Sequence, residues 1–545
     1  MLHCTRDHHL GRHLLNDESS ASDAGDTPVT RSEAASASAH AALLLATLAI
    51  AVCGLVYELL AGTISSYLLG DSVYQFSIVI GVFMLAMGIG AYVSRHIKSN
   101  LSDAFVLVQL TLGVAGGATA PVLFFAFAVL ENYQAILLVS LLVTGTLVGL
   151  EVPLVVRILR EHRTLRVNLS NVLSLDYAGA LLAALLFPLV LVPQLGLMRT
   201  SLLFGLLNVG VAALALWMLR PWVARPVALT LTTAALSAVL VVSLFTTESF
   251  ERFIETRLYA GEIIHAQTSQ YQRIVLSRSG DVINLHLNGG LQFSSIDEYR
   301  YHEALVHPVM IAVERRDRIL IIGGGDGLAA REVLRYSDVK KVELVDLDPA
   351  VTSLFTRNEL LTGLNANALN DPRVQVTNAD AGQYLESSRD LFDVIIIDLP
   401  DPHDIALSRL YTRHFYQSAA RRLTAGGALV TQATSPYYAT EAFWSIHETL
   451  STSRIETPRQ GMLQTIPYHA YVPTFGDWGF IMAGPRLPAW ARAPLPEGLR
   501  FLDTPTLATL RKFPPDTDRI PVEANTLQTH HLARYYERGW SRWYH

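Results

Sequence analysis

From residue 41 to 246 the chain runs in apolar stretches of about 20 residues or more. They fall near 41–64, 74–94, 104–130, 135–156, 175–195, 199–219 and 226–246, with very short polar connections. A helix of ~20 apolar residues crosses a ~30 Å hydrocarbon core. Seven such runs in succession predict a multi-pass α-helical membrane domain at 41–246, of about seven helices. Residues 1–40 show no apolar periodicity and read as a disordered tail. After a polar connector at 247–257, residues 258–297 alternate as short strands, with turn signals at Ser279-Gly280-Asp281 and Asn288-Gly289-Gly290. That pattern predicts a small β domain. From 298 to 485 near-continuous apolar strands alternate with helices: RILIIG, KVELVDLD, VQVTNAD, FDVIIIDLPD and ALVTQAT are the strands. This rhythm predicts an α/β Rossmann-like domain with a mainly parallel sheet covered on both faces. Residues 486–545 form an aromatic C-terminal extension, read as ordered but without an assigned role.

Composition sharpens the split. Half of the residues are hydrophobic and only 17% are charged, but the charge lies mostly beyond residue 250. A net charge of −6 gives no reason to expect nucleic acid. The two cysteines, Cys4 and Cys53, allow neither a disulfide framework nor a cysteine-rich metal site. His3, His8, His9 and His13 read as surface histidines of the tail, and no metal is expected.

Basic residues cluster in alternate loops: Arg95 and Lys98, then Arg157, Arg160, Arg163 and Arg166, then Arg220 and Arg225. The positive-inside rule places these loops and the N-terminus in the cytoplasm. Seven crossings would then put the C-terminal domain outside. A cytoplasmic small-molecule substrate demands the reverse, and the Gly-rich 104–130 run is the candidate for a segment that does not cross. Three acids, Glu58, Glu151 and Asp176, lie in or beside the apolar runs. A charge in hydrocarbon costs at least ~2.5 kcal/mol, so such residues face a cation path or sit at wet helix ends.

The segment Ile321-Ile322-Gly323-Gly324-Gly325-Asp326-Gly327 joins the first strand to a helix. Glycine admits positive φ and removes a Cβ that would block a ligand. Asp346 ends the second strand about 20 residues on, where an acid can hold ribose hydroxyls. A glycine turn alone does not separate NAD from adenosylmethionine-type molecules. Asp326 inside the turn helps: a carboxylate there repels pyrophosphate but suits a sulfonium and an ammonium. Asp380-Ala381, at the end of the third strand, can contact an adenine edge or simply cap the helix that follows.

Several motifs in order resemble those of the spermidine synthases, the polyamine aminopropyltransferases. They are DEYRYHEALVHP (297–308), LIIGGGDGLAAREVLRY (320–336), VELVDLDPAV (342–351), DPRVQVTNADAGQYL (371–385) and FDVIIIDLPDP (392–402). The β unit, from Tyr271-Gln272 through LNGGLQFSS, is similar too, and the whole chain looks like a membrane-fused bacterial type. The resemblance implies decarboxylated S-adenosylmethionine as co-substrate, held by Gln272, Gly323, Gly325, Asp326, Gly327, Asp346, Asp380 and Ala381. It implies an amine site lined by Tyr301, His302, Asp326, Gln292, Asp398 and Asp401. It also implies a homo-oligomer, a bacterial inner membrane and a cytoplasmic catalytic domain.

The implied reaction displaces methylthioadenosine from a sulfonium by an amine, giving spermidine when putrescine is the acceptor. The free amine is protonated at neutral pH, with a pKa of ~10.4, and has no lone pair until it loses a proton. Asp398 is expected to accept that proton and Asp401 to hold the amine beside it, roles the two could exchange. Departures cluster on the amine side. Leu399 and Pro400 stand where the family has small hydroxyl residues, and Asp404-Ile405-Ala406 replaces Gly-Pro-Ala. Asp346 is shorter than the usual Glu, and Phe475 replaces a common Tyr. Two other readings of the residues are an adenosylmethionine-dependent methyltransferase, and a membrane polyamine transporter or sensor whose soluble domain only binds ligand.

Overall fold

The computed structural model describes residues 31–69, 72–130, 132–159, 165–259, 261–455, 461–486, 490 and 492–543. The histidines of the tail and the loop arginines 160 and 163 lie outside these residues. The N-terminal half is helical: α1 (Arg31–Leu69), α2 (Ser72–Ser94), α3 (Leu101–Val129), α4 (Tyr133–Leu159), α5 (Leu165–Leu186), α6 (Val192–Met218) and α7 (Pro226–Leu258). Helix α1 starts ahead of the apolar run that fills most of it, so residues 31–40 are helical.

Among the described residues six helical stretches are long and apolar enough to cross a membrane. The fifth, Ser170–Met218, has 49 residues. At 1.5 Å per residue it would be about 74 Å long, more than twice a ~30 Å core. The chain breaks within it at Gly196, with φ 73° and ψ 174°, a conformation closed to a residue with a side chain. Beyond the break α6 runs back along α3. Gly113 of α3 faces Gly205 and Val209, while Gly117 faces Gly205 and Ser201, an antiparallel register between small residues. The fifth stretch is therefore two antiparallel helical segments rather than one, each near the length of a membrane span.

The 104–130 run lies, but for Leu130, in one helix, Leu101–Val129, of 29 residues, long and apolar enough to cross. Pro121 lies inside it and leaves the Gly117 carbonyl without its helical donor. Ser201 of α6 supplies the missing donor, its hydroxyl reaching Gly117 O at 3.0 Å and Gly116 O at 2.8 Å. A neighbouring helix thus keeps α3 continuous in apolar surroundings.

After α7 come β1 (Glu262–Thr268), β2 (Arg273–Ser279), β3 (Val282–Leu287) and β4 (Gly290–Ser294), an antiparallel sheet in sequential order. The β3–β4 turn is Asn288-Gly289, with φ of 49° and 84°, the backbone that a two-residue hairpin needs. The α/β domain follows: α8 (Glu298–Ala312), β5 (Arg318–Gly323), α9 (Leu328–Val333), β6 (Lys341–Asp346), α10 (Pro349–Arg357), α11 (Glu359–Leu364), β7 (Val374–Asn378), α12 (Ala381–Ser387), β8 (Phe392–Asp398), α13 (Ile405–Ser408), α14 (Arg413–Ala420), β9 (Leu423–Gln432) and α15 (Thr440–Ser451). A short pair, β10 (Arg454–Ile455) and β11 (Gly461–Met462), precedes β12 (Gln464–Val472) and β13 (Gly476–Gly484). The extension carries α16 (Thr504–Thr509) and α17 (His531–Trp540).

The main sheet has the order β12-β13-β9-β8-β5-β6-β7. Strands β5 to β9 are parallel, while β13 and β12 are antiparallel additions. Both faces are covered. Ile319 and Ile321 of β5 pack into one apolar cluster, and Leu320 and Ile322 into the other. The strand order reverses between β5 and β8, where Gly323 lies in register with Asp398. In such sheets ligands bind in the crevice at the carboxyl ends of the strands on either side of that reversal.

Candidate active site

The glycine turn is pressed between two acids. A Cβ at Gly323, whose φ is 80°, would lie 2.0 Å from the Asp398 carbonyl oxygen, and one at Gly325 would lie 2.6 Å from Asp346 Oδ2. Gly325 N instead donates to Asp346 Oδ2 at 3.1 Å, and Asp348 N donates to Asp346 Oδ1 at 2.9 Å. Burial lifts Asp346 to about 6, restrained by these two N–H groups. Asp348, buried at the N-cap of α10, accepts from Ser269 Oγ at 2.7 Å and Gln272 Nε2 at 3.0 Å. Gln272 is thereby brought from the β unit to the Asp346 side of the crevice.

Three further carboxylates, Asp326, Asp398 and Asp401, face a histidine and a tyrosine of α8. Tyr301 donates to Asp398 Oδ1 at 2.7 Å. Burial raises Asp398 above the ordinary carboxylate range, while the His302 charge and the Tyr301 bond restrain it. Asp326 caps the start of α9 by accepting from Leu328 N at 2.9 Å. Burial lifts it to about 6, opposed by His302 and aided by Asp398. His302 Nδ1 lies 2.8 Å from Glu298 Oε2. Burial depresses this imidazole, but Glu298, Asp326 and Asp398 overcome that and raise it to about 9. His302 is thus a cation at neutral pH among carboxylates.

Glu298, part of the DEYRYHEALVHP motif but given no role from the sequence, orients His302 and is itself clamped by Arg331 through two bonds of 2.9 Å. Asp401 has three partners that were also given no role. Gln432 Nε2 and Thr434 Oγ1 each donate at 3.2 Å, and Tyr536 of α17 donates from the C-terminal extension. Burial lifts Asp401 to about 6 against these donors. Thr434 holds φ at 55°, a left-handed conformation uncommon outside glycine, as β9 leaves the sheet beside Asp401. Tyr411 donates to the Pro400 carbonyl at 2.9 Å and fixes the loop between the two acids.

Two residues expected at the site are engaged elsewhere. Gln292 Nε2 donates to the Gly290 carbonyl at 3.2 Å, within its own turn, because β4 directs its amide to the hairpin rather than to the acids. Asp380 is the N-cap of α12, accepting from Gln383 N at 3.0 Å and from Arg409, which hold it below the usual carboxylate range despite partial burial. Ala381 follows it and is buried. Phe475 packs edge-on against Tyr301, with ring centroids 6.2 Å apart, and walls the crevice with an apolar face. The crevice therefore offers acids to a cationic ligand, a glycine turn for close approach and one protonated imidazole to balance the charge. Among the described residues no group of three or more His, Cys, Asp or Glu could hold a metal ion.

Comparison with known proteins gives a consistent picture. The family described as the spermine/spermidine synthase domain matches residues 298–485. A polyamine aminopropyltransferase of Leptospira interrogans is 42% identical over 501 residues, which cover 92% of this chain and 99% of its own. Polyamine aminopropyltransferase 1 of Ralstonia nicotianae is 44% identical over 533 residues, 95% of this chain and 98% of its own. A crystal structure of spermidine synthase in complex with the transition state analogue AdoDATO is 26% identical, covers 46% of this chain and 86% of that one, and superposes with a TM-score of 0.42.

Proposed function

Since this chain belongs to the polyamine aminopropyltransferase family and is a transferase, we propose that it moves the aminopropyl group of decarboxylated S-adenosylmethionine to putrescine, giving spermidine and methylthioadenosine. The observation that carries this reading is Asp398, half-buried, with a raised pKa, and set in register with the glycine turn at the strand-order reversal. A carboxylate of raised basicity takes a proton from an ammonium more readily.

In this reading Asp346 holds the ribose, and Gly323, Gly325 and Gly327 let the turn lie hard against Asp398, Asp346 and Leu369, which leaves the crevice beside it to the nucleoside. Gln272 supports that end through Asp348. Asp326 faces the aminopropyl end, where its charge welcomes an ammonium and repels the carboxylate of ordinary adenosylmethionine. Asp398 accepts the proton of the attacking amine, with Tyr301 fixing the carboxylate. Asp401 holds the amine beside it. The nitrogen lone pair forms the new C–N bond as the C–S bond breaks, and the sulfur leaves as neutral methylthioadenosine. The sulfonium supplies its own leaving group, so the side chains bind, orient and move one proton.

Product analysis tests the reading. Purified full-length protein given putrescine and decarboxylated adenosylmethionine is expected to release spermidine and methylthioadenosine in equal amounts. Ordinary adenosylmethionine is expected to give no methylated product; a methylated amine would favour a methyltransferase instead. Asp398→Asn keeps the side-chain shape and is expected to lower turnover ~10²-fold or more, with methylthioadenosine binding little changed. Near-normal turnover of this variant would remove Asp398 as the base.

We place the protein in a bacterial inner membrane with its catalytic domain in the cytoplasm, where adenosylmethionine and its derivatives are made. Seven crossings would set this placement against the charge of the loops, because Arg95, Lys98, Arg220 and Arg225 lie at the end of the bundle opposite the catalytic domain.

A further inference from the structure

The helix bundle holds a second polar centre. Tyr57 of α1, Gln109 of α3, Glu151 of α4 and Asn208 of α6 are all buried. Gln109 Nε2 donates to Glu151 Oε1 at 2.6 Å, and Asn208 Nδ2 donates to the Tyr57 hydroxyl at 2.8 Å. The Tyr57 ring lies against Gly116 of α3, and Gly113, one turn before, meets Val209 beside Asn208. Helices α3 and α4, and α1 and α6, thus turn polar groups toward each other, and the two pairs adjoin where α1 and α6 pack on α3. Gln109 is eight residues in from Leu101, Glu151 eight before Leu159 and Asn208 ten before Met218. These three helix ends lie on the same side of the bundle. At 1.5 Å per residue the three groups are about 12–15 Å from that side, near the middle of a ~30 Å core.

Three oxygens of this centre have no hydrogen-bond partner among the described residues: Gln109 Oε1, Glu151 Oε2 and Asn208 Oδ1. Such atoms are rare in a folded interior and mark a missing ligand, ion or water. Glu58 and Asp176, by contrast, are only half-buried and can reach the bundle surface. All three stranded atoms are acceptors. Their complement is a cation that only donates, and a primary ammonium has three N–H donors and no acceptor.

We propose that Gln109, Glu151 and Asn208 form a binding site for a primary alkylammonium group inside the membrane bundle, separate from the catalytic crevice. The amines of the proposed reaction belong to that chemical class, so one chain would hold the same kind of molecule in two places. The choice of putrescine as probe rests on the proposed function; the site itself does not.

Equilibrium binding of radiolabelled putrescine to the full-length protein in lipid nanodiscs tests the inference. Wild-type protein is expected to bind two putrescines per chain. Glu151→Gln and Asn208→Leu are each expected to weaken one of these sites at least tenfold and to leave aminopropyl transfer unchanged. Binding that survives in the Asp398→Asn, Asp401→Asn double variant and disappears when Glu151→Gln is added supports the bundle site, whatever role the catalytic acids have. On wild-type protein, methylammonium is expected to displace the bundle-bound putrescine at least tenfold more strongly than tetramethylammonium, which has the charge but no N–H. If Glu151→Gln does not fold, Asn208→Leu and this displacement series decide the matter. A single site that neither bundle variant weakens overturns the inference. So does displacement by sodium in preference to methylammonium, which would make the centre an alkali-cation site.

Discussion

His302 shows how a single side chain is set by partners that no local pattern reveals. Its Nδ1 meets Glu298, one helical turn earlier, and that acid is fixed by Arg331 from the helix after the glycine turn. The predicted pH behaviour follows. Asp326 and Asp401, lifted to about 6, must be ionised to hold an ammonium, so activity is lost as pH falls through about 6. His302, raised to about 9, keeps its charge up to that pH and loses it above. A plot of log kcat/KM against pH is therefore expected to bend near 6 and again near 9. Glu298→Gln removes the largest influence that raises His302, so the alkaline bend is expected to move down toward the ordinary histidine range, by more than the acid bend moves. Titration of the His302 ring by NMR gives the same shift directly. An unmoved alkaline bend would mean that another group controls it.

At the scale of elements, the departures on the amine side are matched by an addition. Helix α17 brings Tyr536 to Asp401, and the extension is tied down on its way there. Glu303 of α8 accepts from the backbone N–H groups of Arg500, Phe501 and Leu502 at 2.8–2.9 Å. Asn525, fully buried, donates to the Tyr411 carbonyl at 3.3 Å and the Ser408 carbonyl at 2.9 Å. Tyr536→Phe deletes a donor to the charged form of Asp401, so its carboxyl rises further. The acid bend is expected to shift upward by about one pH unit, equivalent to ~1.4 kcal/mol, with a higher KM for the amine and little change for the nucleoside. An unchanged KM and acid bend would leave Tyr536 a packing residue. The strands, the glycine turn and the acids at strand ends were legible because each is written in a short window: an apolar run, a turn residue, an acid. Tyr536, Gln432 and Thr434 were not, because they reach Asp401 only after β9 and the extension fold back on the β8 loop. In the bundle, Glu58, Glu151 and Asp176 stood out by charge. Gln109 and Asn208, neutral amides in apolar runs, became visible as partners only when the helices packed. The break at Gly196 marks the opposite case, where a turn expected between two apolar runs is built from one glycine.

For the whole molecule, seven crossings, one by each segment of the bundle, would put the N-terminus and the catalytic domain on opposite faces of the membrane. Alkaline phosphatase and green fluorescent protein fusions at the Gly261 junction are expected to report a cytoplasmic catalytic domain, with fusions near Arg220 reporting the other side. The reverse result would show that the arginine-bearing loops govern insertion and that the substrates must reach the enzyme across the bilayer. The Tyr536 contact has a further consequence for how the molecule is made. The ribosome delivers the seven helices first and the α/β strands next, and the residue that touches Asp401 comes within the last ten of 545. A chain cut short before α17 keeps the glycine turn and both loop acids but loses the Tyr536 donor to Asp401. During synthesis the Asp401 carboxylate therefore stays short of one donor until α17 has emerged and folded back.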